Sequence, residues 1–233
     1  MESVTSSADA DAGDSLAVGG LVPFSTIDYP GYLAAVVFCQ GCPWRCAYCH
    51  NPHLQSCRVD AAEPWPEVMK WLDSRRGLLD AVVFSGGEPL QQRSLFEAMR
   101  QARELGFRIG LHTAGIYFER LAEALPFVDW VAFDVKAPFD RYRQVTGAKN
   151  GGAARRSLTL LLASGVPCEI RCTVDESLLS PWDAQRMGEQ LAGLGVRRLI
   201  LQAVREGGGT ARPIGEAFIN AVKAEMESIE LRV

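Results

Sequence analysis

The sequence predicts an α/β fold, an open and partial (β/α)6 barrel of parallel strands. Three observations carry that expectation. Apolar runs of strand length alternate with longer segments of helical period, the pattern of a parallel sheet with crossover helices. Six such units occupy about 200 residues, too few for a closed eight-fold barrel. Pro64, Pro181 and Pro213 stand where helices would begin, positions at which a missing N–H costs nothing.

In chain order, residues 20–25 and 27–30 read as a lead-in strand and turn. Strands follow at 33–39, 81–85, 108–112, 130–134, 168–174 and 198–202. The helical segments between and after them are 64–74, 91–105, 118–125, 153–164, 181–194 and 213–227. Asp80 and the pair Gly106-Phe107 precede strands as turn residues. The alternation over 229–233 adds an edge strand. No internal repeat or second domain is evident, so residues 19–233 are expected to form a single domain.

Composition narrows the class. At 233 residues and 48% hydrophobic, the chain can bury a sizeable core. A net charge of −4 argues against a nucleic-acid-binding surface or an anionic-membrane anchor. The basic doublets Arg75-Arg76, Arg155-Arg156 and Arg197-Arg198 read as solvated helix ends. No apolar stretch reaches the roughly 20 residues that a membrane span needs. Residues 1–18 lack a basic start and an apolar core, so they read as a disordered tail and not as a signal peptide. Seven cysteines, an odd number concentrated in one loop, imply a reducing compartment and a cytoplasmic protein.

Four of those cysteines fall within eleven residues, from Cys39 to Cys49. Thiolates so crowded repel one another unless a soft cation holds them, which makes a metal site the first reading. Zinc ribbons separate their two Cys-x-x-Cys knuckles by about 15–20 residues. Here Cys39-x-x-Cys42 and Cys46-x-x-Cys49 are separated by only three. The ferredoxin order of cysteines is not present either. What remains is Cys42-x-x-x-Cys46-x-x-Cys49, with Tyr48 before the last cysteine.

That pattern resembles the signature of the radical S-adenosylmethionine (radical SAM) superfamily. The flanks, Gly-Leu-Val-Pro-Phe-Ser-Thr-Ile-Asp-Tyr-Pro-Gly at 20–31, Gln40-Gly41-Cys42 and Cys49-His50-Asn51-Pro52, resemble one subgroup. It is the activating proteins of anaerobic ribonucleoside-triphosphate reductase, close to the pyruvate formate-lyase activating enzymes. The resemblance implies that Cys42, Cys46 and Cys49 hold three irons of a 4Fe–4S cluster. The fourth iron is left open for the amine and carboxylate of SAM. A loop of eight residues can wrap one cluster and turn backbone N–H groups towards its sulfides.

The strand ends supply a test that owes nothing to any family. In βα barrels the chemistry collects at the C-terminal ends of the strands. Side chains alternate between the helix side and the interior. Glu169, Arg171 and Thr173 share a polar face opposite Cys168, Ile170, Cys172 and Val174. Asp134 and Lys136 share parity with Ala132, His112 shares it with Gly110, and Gln202 opposes Leu199 and Leu201. A lined cavity is one reading of these inward polar groups, and a set of internal ion pairs is the other.

The second strand ends in Ser85-Gly86-Gly87-Glu88-Pro89. A Gly-Gly there is a tight βα turn on its own; beside the cysteine loop it matches the Gly-Gly-Glu-Pro motif of radical SAM proteins. The match implies that Gly86 and Gly87 free the backbone to approach the methionyl amine, with Glu88 bonding to that ammonium or to the backbone around it. Asp134-Val135-Lys136 resembles the Asp-x-Lys of the activating enzymes, near SAM and the partner's backbone. His112 stands where the pyruvate formate-lyase type has an aspartate on the SAM amine, and only a neutral imidazole could accept that bond. Arg171 matches an arginine expected near the SAM carboxylate, a task its fork of donors suits. Tyr48 is expected beside the adenine. His50 and Asn51 are either cluster neighbours or turn residues. Cys39 reads as a small interior residue near the cluster, Cys57 as a loop thiol, and Cys168 and Cys172 as core.

The implied reaction is reductive cleavage of SAM to methionine and a 5′-deoxyadenosyl radical, which takes hydrogen from a glycine of a partner glycyl radical enzyme. Anaerobic ribonucleotide reductase is the expected partner, and a flavodoxin or ferredoxin the expected reductant. Two rivals stand beside this reading: a radical SAM reaction on a small molecule or peptide, and a non-catalytic iron–sulfur electron carrier.

Overall fold

The structure is a computed structural model that describes residues 15–57, 63–205 and 209–232. Its elements run β1 (Ala17–Ser25), β2 (Ala34–Cys39), β3 (Glu63–Pro64), α1 (Trp65–Asp73), β4 (Ala81–Gly86), α2 (Leu95–Glu104), β5 (Arg108–Thr113) and α3 (Phe118–Ala124). They continue β6 (Trp130–Asp134), α4 (Tyr142–Thr146), α5 (Gly152–Ser164), β7 (Cys168–Val174), α6 (Pro181–Gly193), β8 (Arg198–Ala203), α7 (Glu216–Lys223) and β9 (Ser228–Arg232). One sheet of nine strands has the order β3-β1-β2-β4-β5-β6-β7-β8-β9. Pairing is parallel from β2 through β9, and β1 and β3 are antiparallel additions at one edge. The mostly parallel, partial-barrel α/β architecture agrees with the expectation.

Differences at element ends have local causes. Of the expected tail, residues 1–14 lie outside the described residues, whereas Leu16 is buried and Ala17 already opens β1. The second helix begins at Leu95 and not at 91 because Pro89–Gln91 forms a separate 3-10 turn. Glu88 accepts a hydrogen bond from the Leu90 N–H, and Arg120 donates to the Leu90 carbonyl at 2.8 Å. The last helix starts at Glu216 because the Gly215 N–H donates to Glu176 Oε1 at 2.6 Å, which pins the entry to the helix. In α6 the reading from Pro181 is sound: Ser180 caps the helix and Asp183 returns the bond.

Strand alternation sorts the interior into two layers. Val37, Phe84, Leu111, Phe133 and Leu201 face the helices. On the other face Tyr29, Ala34, Val36, Val83, Trp130 and Ala132 form a plug inside the barrel. Tyr29 stacks on Trp130 with centroids 5.1 Å apart. Gly110 makes room for that ring, since a Cβ there would lie 3.2 Å from Tyr29 Cδ1. The plug fills the N-terminal end of the barrel, leaving a cavity at the C-terminal ends of the strands. Among the described residues, no helix is long and apolar enough to cross a membrane.

Candidate active site

The cysteine loop leaves β2 and is held on three sides by backbone bonds. The Gly41 N–H donates to the Leu54 carbonyl at 2.8 Å, and the Glu88 N–H donates to the Gly41 carbonyl at 2.9 Å. On the far side Arg45 and Ala47 donate to the carbonyls of Thr146 and Val145, at 2.9 and 3.0 Å. The end of α4 is therefore a cradle for the loop. Tyr142 of α4 is fully buried, packs edge-on against Trp44 at 5.5 Å, and accepts the Lys136 N–H at 3.2 Å. Sequence reasoning missed this element. Its signal was the apolar spacing Tyr142, Val145 and Thr146 with Gly147 as the C-terminal stop.

A cavity of about 830 Å³ gathers the residues assigned from the sequence to the cluster and to SAM. Cys42, Cys46, Tyr48 and Cys49 come from the cysteine loop, and Gly86, Gly87 and Glu88 from the end of β4. His112 comes from β5, Asp134 and Lys136 from the end of β6, and Arg171 from β7. His50 and Asn51 also line it. Cys39 does not. It is fully buried in the helix-side layer with Val37, a small interior residue as expected, because β2 alternation turns it away from the cavity. Cys172 is buried and Cys57 exposed.

Both readings of the inward polar groups hold in part. Glu169 takes two bonds from Arg232, at 2.8 and 2.9 Å, and Arg232 also donates to Glu230 at 2.6 Å. That trio is internal structure, and Arg232 was missed although the alternation of β9 places it inward. Asp134 is shared by two cations, Arg171 Nε at 2.8 Å and Lys136 Nζ at 3.2 Å. Burial works to raise the Asp134 pKa, but Arg171 and Lys136 outweigh it and hold the carboxyl well below the usual range. The three together leave one positive charge in excess on the cavity wall.

Glu88 is almost wholly buried. Its carboxyl accepts from Thr113 Oγ1 at 2.6 Å, the Ala114 N–H at 3.0 Å and the Leu90 N–H at 3.3 Å. Of the two roles implied for it, this geometry is the backbone one: it ties the turn after β4 to the end of β5. Burial pushes its pKa up to about 7 despite those donors. His112 Nε2 lies 2.9 Å from the Asp28 carbonyl, which can only accept, so Nε2 carries the proton. Nδ1 then faces Ser85 Oγ at 3.3 Å as an acceptor. Burial, with Arg171 nearby, lowers the imidazole pKa to about 4, so His112 is neutral.

The loop fits an iron–sulfur cluster better than a single ion. Among the described residues, no three His, Cys, Asp or Glu side chains converge on a single-ion site. Ligands of a cluster each bind a different iron and need not converge. Cys42, Cys46 and Cys49 are free, half-buried thiols on one wall. Burial pushes the Cys42 thiol up to about 12 and raises that of Cys46, so only a bound cation would hold them as thiolates. Tyr48 lines the same wall, and among the described residues its buried hydroxyl has no hydrogen-bond partner.

The fold and this site define a radical SAM protein. The profile of the Radical SAM superfamily matches residues 36–178, more than half of the chain, and the chain belongs to that superfamily. Its cofactors are accordingly a 4Fe–4S cluster and S-adenosylmethionine. Among individual relatives, the chain is 37% identical over 143 residues to a candidate glycyl-radical enzyme activating enzyme of Methanocaldococcus jannaschii, covering 58% of this chain and 56% of that one. It is 34% identical over 132 residues to a pyruvate formate-lyase-activating enzyme of Clostridium pasteurianum, covering 54% and 55%. The chain thus spans about half the length of the curated relatives it matches. In fold it resembles QueE of Escherichia coli, with a TM-score of 0.60 at 19% identity over 98% of this chain and 99% of that one.

Proposed function

We propose that the chain is a glycyl radical enzyme activase, a radical SAM oxidoreductase, and that its partner is an anaerobic ribonucleoside-triphosphate reductase. One observation carries the reading: the cysteine loop, the Gly-Gly-Glu-Pro turn and the Asp134, Lys136, Arg171 group line a single cavity. Likeness to glycyl-radical enzyme activating enzymes supports the activase part, and the flanks of the cysteine loop support the reductase partner. The free cysteines support a reducing, cytoplasmic setting, and the reaction calls for a one-electron donor, which we take to be a flavodoxin or ferredoxin.

Cluster and SAM, when bound, supply a one-electron cleavage whose radical product can take hydrogen from a glycine Cα. The chain's own residues bind, orient and shield. Cys42, Cys46 and Cys49 would hold the cluster. Arg171 spends Nε on Asp134, which aims its remaining donors into the cavity, where the excess positive charge suits the methionyl carboxylate. Glu88 braces the cavity wall at Thr113 and Ala114, which would hold that wall in place for the methionyl end of SAM. His112 already commits both nitrogens, so it would contact the amine only by releasing Ser85.

The test is to mix the reconstituted protein with SAM, a strong reductant and an anaerobic ribonucleotide reductase under anaerobic conditions. A glycyl radical with α-proton splitting is expected in the electron paramagnetic resonance spectrum. Cleavage of SAM without a protein radical on any glycyl radical partner would overturn the activase reading in favour of a small-molecule or peptide substrate. A stable cluster without any SAM cleavage would instead make the chain an electron carrier.

A further inference from the structure

Away from the cavity, the cysteine loop rests on the end of α4, and α4 opens a basic segment of the chain. Residues 141–168 carry five cations, Arg141, Arg143, Lys149, Arg155 and Arg156, and no acid, on a chain whose net charge is −4. The segment begins in α4, whose terminal carbonyls hold the backbone of Arg45 and Ala47 inside the cysteine loop. It continues through Lys149 into α5, whose fourth and fifth residues are Arg155 and Arg156.

Other basic doublets are compensated. Arg76 pairs with Asp73, Arg197 with Glu227 and Arg198 with Glu230. Arg141 lies 3.4 Å from Asp183. Arg143, Lys149 and Arg155 are exposed, and among the described residues none of them pairs with a carboxylate. Arg155, which closes the first turn of the 13-residue α5, also stands where the helix dipole ordinarily favours acids.

We infer that this face docks an acidic one-electron donor protein and brings its redox centre to the outer side of the cysteine loop. The inference rests on the proposed function, which needs such a donor. Charge complementarity selects the occupant: a negative protein is steered to a basic segment next to the cluster ligands that carries no acid of its own. One electron leaves the donor's reduced centre, which is oxidised by one unit, and enters the cluster; no proton or group is transferred.

The test uses the reconstituted full chain and an acidic flavodoxin as probe. Oxidised flavodoxin should bind with an affinity that falls as salt rises. Reduced flavodoxin should bleach the cluster at a second-order rate with the same salt dependence. In the variant R143E/K149E, and separately in R155E, both binding and rate should fall by about tenfold or more at low salt. Rates with dithionite and iron content should stay unchanged. Arg155→Glu places an acid in the first turn of α5 and should not harm folding, so a slower rate there is not explained by unfolding. Wild-type binding and rates in both variants would overturn the docking surface. A variant that keeps flavodoxin reduction but loses glycyl radical formation with dithionite would overturn it too, by assigning the face to the substrate protein. Failure of the wild type to cleave SAM even with dithionite would overturn the proposed function, and this inference with it.

Discussion

The backbone of Gly87 lies against that of Gly41 so closely that a Cβ on Gly87 would come within 2.3 Å of the Gly41 carbonyl oxygen. That oxygen also accepts the Glu88 N–H. The Gly-Gly turn is therefore the seat on which the start of the cysteine loop rests, in addition to any part it takes in approaching SAM. Gly87→Ala should displace Gly41, and with it Cys42, so iron retained after reconstitution should fall by more than half. Gly77→Ala is the control, because a Cβ there meets nothing within 4 Å. Its left-handed backbone costs about 1 kcal/mol, and iron content should not change. Equal iron in the two variants would show that the Gly87 contact is not what seats the loop.

Tyr142 should matter more as a ring than as a phenol. Tyr142→Phe loses one bond from the Lys136 N–H, worth about 1 kcal/mol, and should keep the cluster. Tyr142→Ala opens a cavity beneath Trp44 and should cost about 3–5 kcal/mol along with most of the iron. The measurements are urea unfolding and iron content. Similar losses in both variants would move the importance to the hydroxyl.

The chain shows where sequence reading reaches and where it stops. Strands Trp130–Asp134 and Cys168–Val174 are legible to the residue, because apolar runs of strand length fill them. The same alternation places Asp134, Lys136, Arg171 and His112 on the cavity, since parity needs no knowledge of tertiary contacts. The five-residue α4 is not legible as a helix: it is too short to be stable alone and owes its form to the cysteine loop above it. The partners of Glu88 are hidden for a related reason, as Thr113 and Ala114 lie 25 and 26 residues away along the chain. Cys39 is legible as a small interior residue, and the structure turns it to the helix side, off the cavity wall.

Asp134 is the anion that allows Lys136 and Arg171 to stand side by side. Asp134→Asn would leave two largely buried cations facing each other, and losing one partner of such a group costs about 3 kcal/mol or more. Adding Lys136→Met should recover a good part of that loss by removing the surplus charge. Urea unfolding of the single and double variants decides it. A double variant no more stable than Asp134→Asn would mean that carboxylate hydrogen bonding outweighs charge balance here.

Glu88 and His112 should tilt the pH dependence of stability in opposite directions. The His112 pKa is lowered to about 4 by burial and Arg171, below its value of about 6.5 in the unfolded chain. The unfolded state therefore binds the proton that the folded state refuses. The stability from His112 is complete above about pH 6.5 and is lost as pH falls towards 4, at about 1.4 kcal/mol per unit. Glu88 is raised to about 7 by burial, above about 4.3 in the unfolded chain. Here the folded state keeps a proton that the unfolded state has released, so stability is lost as pH rises from about 4.3 to 7 at the same rate. Between about pH 4.5 and 6.5 the two slopes oppose each other, and the iron-free wild type should be nearly flat. His112→Gln should leave the Glu88 slope alone, with stability falling as pH rises. Glu88→Gln should leave the His112 slope, with stability falling as pH drops. Glutamine at 88 has one carbonyl oxygen for the donors of Thr113, Ala114 and Leu90, so it lowers stability at every pH; the sign of the slope is the readout, and not the level. Urea unfolding at half-unit steps from pH 5 to 6.5 measures it, and slopes of the same sign in the two variants would show that these groups do not titrate as their burial requires.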